Sequence, residues 1–284
     1  MDSQNNKCMF SVRSCDSQVA GHTALIQLDD HHLLKPCTLR ETRFYKEMPK
    51  VLKDVVPICC VIIEQEYVTM GETECSTCTS DKFQNIETKL PPSILNSPFL
   101  KHGIMSEFFI VIKNLTTGMK SRRIIDLKMG RRSYSMDAPP EKIQRKTLKM
   151  LSSTSNSVAV RLSGVLYEEK GNNWRIRKTE GRAMNVNQLK DALRVFFDVS
   201  NNIQQTIKLE ISKMINIVKK SSGLRLFGCS LLVAIDIERG MCGLKLIDFS
   251  NATFKGLNPG SEFEGIDENL LEGLQFVLDI INRQ

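Results

Sequence analysis

The chain has 284 residues, 41% of them hydrophobic, enough for one large domain or two lobes with sizeable cores. Its formal charge of +7 is concentrated: Lys120 to Lys149 holds ten basic and three acidic residues, and the remaining chain balances at 29 of each. A field that local argues against general solubility as its purpose and for a compact polyanion or nucleic acid. Nine irregularly spaced cysteines argue against a disulfide framework and for reduced thiols in an intracellular protein.

Residues 1–18 are polar, without a signal-peptide core, and read as a disordered leader. Residues 24–28 and 32–37 read as two strands joined by an LDDH turn. Thr38 is placed to cap a helix over Arg40–Met48, with Glu41 at its acid-favouring end. Ile58–Glu64 is a further strand. The apolar run Val55–Ile63 contains a proline and is too short to span a bilayer, so no membrane insertion is expected. Residues 70–100 are rich in Ser, Thr, Pro and Glu and read as a long variable loop. Cys75 and Cys78 within it have zinc-like spacing but no second ligand pair, which leaves two free thiols in a polar loop as the plainer reading.

Glu107–Lys113 and Ile124–Lys128 are strands, and the lobe boundary is expected near Leu115–Lys120. Pro139 and Pro140 open a helix over Glu141–Leu151. Residues 158–169 and 174–178 form a hairpin, and 187–199 and 204–219 have helical periodicity. Residues 229–238 and 244–249 form a second apolar hairpin, and 267–282 form a C-terminal amphipathic helix. The expected fold is α+β: a mostly β N-lobe over 19–115 and a larger α+β C-lobe over 116–284.

Four features carry chemistry. Lys142, Arg145, Lys146 and Lys149 stand at i, i+3, i+4 and i+7, so they share one helix face. That face is either simply solvated or a wall for phosphates. Asp248 ends an apolar strand, where it either caps a turn or holds magnesium, a hard ion that prefers oxygen. Lys35 lies inside an apolar strand and either snorkels to the surface or reaches a phosphate, as strand lysines do in kinases. Asp126 and Lys128, two residues apart on a strand, share one of its faces. Together these match the parts of a phosphoryl-transfer site. The chain has no G-x-x-x-x-G-K-[ST], no G-x-G-x-x-G and no H-R-D, which excludes a P-loop enzyme and an ordinary protein kinase by motif. Tyr134 is the one aromatic in the basic window, so stacking surfaces for nucleic acid are scarce and no such partner is expected.

The stretch RRIIDLKMG resembles the P-x-x-x-D-x-K-x-G signature of the inositol polyphosphate kinase family, through Asp126, Lys128 and Gly130. The blocks QVAGHTALIQLDDHHLLKPCTLRETRFYKEMP, STSNSVAVRLSG and IDFSNATFKG are similar, in order, to those of the family's hexakisphosphate-kinase branch. The resemblance implies a kinase-like fold using ATP and Mg2+ on an inositol polyphosphate, with a substrate-binding helix near 140–151. It also implies roles. Lys35 would meet the ATP phosphates, and Lys113, Asn114 and Leu115 the adenine at the lobe crossover. Asp126 would hold the ribose, Lys128 the reacting phosphate and Asp248 the metal. Lys142, Arg145, Lys146 and Lys149 would face the inositol phosphate. A monomer in the cytoplasm, and also the nucleus, is expected. Arg122 and Arg123 depart from the signature's proline and cysteine, Asn251 from a histidine, and Leu166 from a polar position; DENLLEGL lacks a tyrosine. Two further readings stay open: a multikinase acting on hydroxyls of lower inositol phosphates, set apart only by overall resemblance and the density of bases, and, motivated by these departures, a pseudokinase that binds inositol phosphates without turnover.

Overall fold

The computed structural model describes residues 13–20, 24–64, 67–70, 106–169, 172–257 and 262–283. Most of the expected leader, all but the first residue of the 70–100 segment read as a loop, with Cys75 and Cys78, and residues 170–171 of the expected turn lie outside these residues.

The first sheet is built from β1 (Arg13–Ser14), β2 (Ile26–Gln27), β3 (His32–Pro36), β4 (Cys59–Glu64), β5 (Tyr67–Met70) and β6 (Phe108–Lys113), in the order β1-β2-β3-β6-β4-β5. Residues 13–18, assigned to the leader on composition, are instead tied to this sheet. Arg13 and Ser14 pair with Gln27 and Ile26, and the Cys15 amide donates to the Leu25 carbonyl at 3.2 Å. A two-residue strand carries too little alternation to be seen in a polar sequence. Helix α1 (Leu39–Glu47) packs against β4 and β6. Its Thr38 cap accepts from the Glu41 amide at 3.4 Å, and it buries Phe44 and Tyr45.

The second sheet comprises β7 (Arg122–Met129), β8 (Val160–Glu169), β9 (Asn172–Ile176), β10 (Ser230–Asp236) and β11 (Met241–Ile247), in the order β11-β10-β7-β8-β9, every pair antiparallel. Central β7 is buried along Ile124–Leu127, as a strand covered on both faces must be. The helices α6 (Asn201–Lys220) and α7 (Glu268–Asn282) pack on this sheet, and α5 (Val186–Phe197) packs on α7. α6 does so through Ile203, Ile207, Ile211, Met214 and Val218, a helical stripe that explains its periodicity.

Three helices set the site: α2 (Pro140–Leu151), α3 (Thr154–Val158) and α4 (Lys178–Ala183). Helix α2 opens on Pro140 as the sequence predicts but buries none of its side chains. Helices α3 and α4 are additions to the sequence reading. Ser, Thr and Asn in SSTSNSV are weak helix formers, and WRIRK carries strand alternation up to the residue that starts α4.

Candidate active site

A cavity of ≈ 670 Å³ opens between the two sheets, lined by residues of both. Among the described residues that line it are ten Lys or Arg side chains and three carboxylates, Glu41, Asp126 and Asp248. The positive charge seen as one sequence window is therefore joined, in space, by cations from distant segments.

Lys35, on β3, lines the cavity. Its Nζ donates to Glu41 Oε1 at 2.8 Å and to Asp248 Oδ1 at 2.7 Å. Burial alone would lower the Lys35 pKa, but Asp248 and Glu41 outweigh it and raise it, so the ammonium stays charged. Glu41 Oε1 also accepts from the Phe249 amide at 3.2 Å, and the Phe249 ring stacks on Phe44 of α1 at 4.1 Å. The carboxylate of α1 thus fixes both the lysine and the segment that carries Asp248. This lysine–glutamate pair is a kinase feature that the sequence analysis missed, because Glu41 was assigned only to the helix N-terminus.

Asp248 leaves β11 with φ 68, a left-handed conformation uncommon for a non-glycine residue. It aims one oxygen at Lys35, while Oδ2 lies 3.8 Å from Lys128 Nζ. Burial tends to raise its pKa, but Lys35 and then Lys128 hold it well below the usual carboxylate range. No group of three or more metal-ligating side chains occurs among the described residues. Magnesium does not need one: it keeps several waters and takes one or two carboxylates plus substrate phosphates. Asp248, one-third exposed and lining the cavity, fits that pattern.

Asp126 and Lys128 both reach the cavity from β7, as the two-residue alternation requires. A bulge separates them: Asp126 faces Gly164 and Leu127 faces Leu162, which leaves Ser163 extra on β8. Gly130 then takes φ 75, which turns the chain out of the strand and explains the glycine of the signature. Asp126 is buried, and its Oδ1 finds no hydrogen-bond partner among the described residues. Burial pushes its pKa up to about 6, against the pull of Lys128 and with help from Asp248. An orphaned buried acceptor is costly unless a ligand donates to it, and a sugar hydroxyl is such a donor. Beside it, Val19, Leu115, Ile124 and Leu232 form an apolar slot at the crossover, and Lys113 and Asn114 edge it.

The basic face of α2 divides. Lys146 and Lys149 line the cavity; Lys142 and Arg145 are not among its lining residues. The structure adds five cations that the sequence analysis did not select: Arg131 after β7, Arg161 on β8, Lys178 and Arg182 on α4, and Lys245 on β11. The departures at 122 and 123 lie away from the cavity. Arg122 pairs with Glu168 at 2.5 Å and Arg123 with Glu169, partners supplied by the β7–β8 register and its neighbours. Leu166 is buried with Ile124 and Ala234, whereas Asn251 lines the cavity.

Two sheets enclosing a strand lysine paired to a helix glutamate, with an aspartate at the exit of a C-lobe strand, define a kinase-like phosphotransferase fold. The family model "Inositol polyphosphate kinase" matches residues 109–282, and the chain belongs to that family. Rat inositol hexakisphosphate kinase 1 is 22% identical, with 94% of this chain and 92% of that protein covered. The inositol polyphosphate multikinase of Schizosaccharomyces pombe is 25% identical, with 91% and 92% covered. Among solved structures, the inositol phosphate multikinase Ipk2 of S. cerevisiae, in complex with ADP and Mn2+, superposes with a TM-score of 0.61 at 21% identity, covering 89% of this chain and 98% of that one. Among the described residues, no helix is long and apolar enough to cross a membrane.

Proposed function

We propose that the chain transfers the γ-phosphoryl group of ATP to a phosphate of inositol hexakisphosphate, forming an inositol pyrophosphate. The observation that carries this reading is the cation excess around Lys128. Lys146, Lys149, Arg161, Lys178 and Arg182 surround the cavity beside it, more positive charge than ATP alone requires. A hexakisphosphate offers the matching density of anionic oxygens.

In this reading the lobes divide near 115–120. Leu115 and the apolar slot take the adenine with the backbone of Lys113 and Asn114, and Asp126 accepts from the ribose. Lys35, held by Glu41, contacts the ATP phosphates. Lys128 neutralises charge on the phosphoryl group in flight. Asp248 would hold the magnesium ion, which neutralises charge on the ATP phosphates when bound. A phosphate acceptor is already ionised near neutrality, so no strong base is required. Asp248, held far below the usual carboxylate range, is a poor base and suits this role. Rate then rests on positioning and charge neutralisation.

The multikinase reading is kept by one observation, the similarity to the S. pombe multikinase over nearly the whole chain. Steady-state kinetics with inositol phosphates of increasing phosphate number separates the two. The proposal expects kcat/KM to rise with phosphate number and to be greatest for the hexakisphosphate. Turnover confined to acceptors with free hydroxyls sinks it in favour of the multikinase.

Two further results are expected. Lys146→Ala with Lys149→Ala should raise the acceptor KM about tenfold or more, since each charge-assisted contact contributes roughly 1.5–3 kcal/mol when well formed and less on an open surface. Lys142→Ala with Arg145→Ala, on residues outside the cavity lining, should change it about twofold or less and lose that effect in high salt. Equal effects of the two pairs would mean that α2 supplies only general attraction. For Asp126, kcat/KM for ATP should fall as pH drops through about 6, where the buried carboxylate takes up a proton and loses its charge as an acceptor. Asp126→Asn should start low and lack this limb; an unaltered acid limb in that variant removes the ribose assignment.

A further inference from the structure

Residues 15–20 leave the edge of the first sheet and come to rest on the second. The Cys15 amide donates to the Leu25 carbonyl and the Gln18 amide to the Cys15 carbonyl, each at 3.2 Å. The Gln18 side chain acts as a clasp: its Nε2 donates to the Ala20 carbonyl at 3.0 Å, and its Oε1 accepts from the Leu25 amide at 2.9 Å. Ser17 Oγ lies 3.4 Å from Thr116 Oγ1, so the segment also meets the crossover between the sheets. Cys15, Ser17, Gln18, Val19 and Ala20 all line the cavity.

The seat on the second sheet is built by strand register. Leu166, Ile124 and Ala234 stand side by side on β8, β7 and β10. Two residues along, Gly164, Asp126 and Leu232 form the next row of the same face. Val19 packs against the buried Ile124, Leu166 and Ala234. Gly164 is not left-handed, so space alone demands a glycine there. A Cβ on it would overlap the Val19 carbonyl oxygen and stand 3.0 Å from the carbonyl carbon. The Val19 main chain therefore takes the place of the side chain that would stand beside Asp126 in the ladder. Leu166 departs from a polar position in the family pattern, and here it supplies apolar contact to Val19. Neither Gly164 nor Leu166 is among the residues that line the cavity, so a change at either reaches a bound nucleotide only through what it supports.

We propose that residues 15–20 are a strap that closes the nucleotide slot beside Asp126, and that Gly164 and Leu166 are positioning residues that hold Val19 against the slot and thereby set the affinity for the nucleotide. The seat of Val19 over Gly164 carries the claim, because it fixes one wall of the slot before any ligand arrives, and a wall that is already ordered adds no ordering cost to binding. The claim rests on the nucleotide reading of Asp126 and the apolar slot given above.

The test uses Gly164→Ala, Leu166→Thr and Val19→Ala in the full chain. Calorimetry with ADP and Mg2+, without acceptor, needs no turnover. Gly164→Ala should raise the Kd for ADP about tenfold or more, because the strap's main chain must move. Leu166→Thr should raise it roughly threefold to tenfold. KM for ATP should follow in both variants, while KM for inositol hexakisphosphate stays within about twofold. Leu166 and Val19 act through one contact, so the double variant Val19→Ala with Leu166→Thr should bind ADP within about twofold of the weaker single variant. Hydrogen exchange gives an independent readout. ADP should slow amide exchange across residues 13–20 in the wild type, and Gly164→Ala should speed it without ligand and remove most of the response to ADP. A lower thermal midpoint in Gly164→Ala and Leu166→Thr with wild-type ADP affinity overturns the proposal and makes both residues structural. Effects of Val19→Ala and Leu166→Thr that multiply also overturn it. If wild type binds ADP and the variants bind it equally well, the strap fails and the nucleotide reading stands. If folded wild type binds no ADP, the nucleotide reading fails and the strap with it.

Discussion

Asp248→Asn should lower kcat by about a thousandfold or more while the protein keeps its fold, a loss of roughly 4 kcal/mol in transition-state stabilisation. The aspartate occupies φ 68, a conformation that asparagine also tolerates, so the backbone at the end of β11 has no reason to move. Lys35 retains Glu41 at 2.8 Å as a partner. What disappears is the negative charge between Lys35 and Lys128, which magnesium would use and which lets the two ammonium groups share one site. Far-UV circular dichroism checks the fold, and single-turnover kinetics checks the chemistry. Wild-type rates in this variant would remove Asp248 from the metal-binding role.

Lys35→Met should raise KM for ATP about tenfold and lower kcat by roughly a hundredfold, because the same ammonium is proposed to hold the nucleotide phosphates. Methionine preserves much of the stem's packing, so the loss reports charge. A stability signature accompanies it. In the wild type, the depressed Asp248 pKa contributes stability that is present above the unfolded value near 3.8 and is lost as pH falls through the lower folded value. Without Lys35, Asp248 loses the cation that does most to hold its pKa down, so its carboxylate should titrate higher. The variant should then lose less stability than wild type as pH falls below about 4 toward the lower folded value. A thermal midpoint that drops equally at every pH, with kinetics unchanged, would return Lys35 to a surface-seeking lysine.

How far the sequence alone reaches can be read from particular residues. Asp126 and Lys128 fall on one face of β7 because strand alternation is local, and Lys35 declares itself by interrupting an apolar strand. Glu41 does not: its partners are Lys35 and the Phe249 amide, 208 positions away, and nothing in a helix-opening acid reveals them. Arg161 is hidden for a related reason. In VAVRLSG it looks like the polar side of a strand, and only the register against β7 sets it opposite Lys128. The charge run on α2 is plain in the sequence, but which half faces the cavity depends on how the helix sits against neighbours that its periodicity does not specify. Helix α4 escaped because its first residue ends a strand-like pattern, and the tight approach of Gly181 to Leu162 is a tertiary fact.

The most direct measurement is phosphorus NMR of the purified product formed from ATP, magnesium and inositol hexakisphosphate by the wild-type protein, with the Asp248→Asn protein run in parallel. The account predicts a new pair of coupled resonances from a phosphoanhydride on the inositol ring, formed stoichiometrically with ADP and lacking in the Asp248→Asn reaction. ADP released with inorganic phosphate alone, or a hexakisphosphate spectrum that does not change, would contradict it.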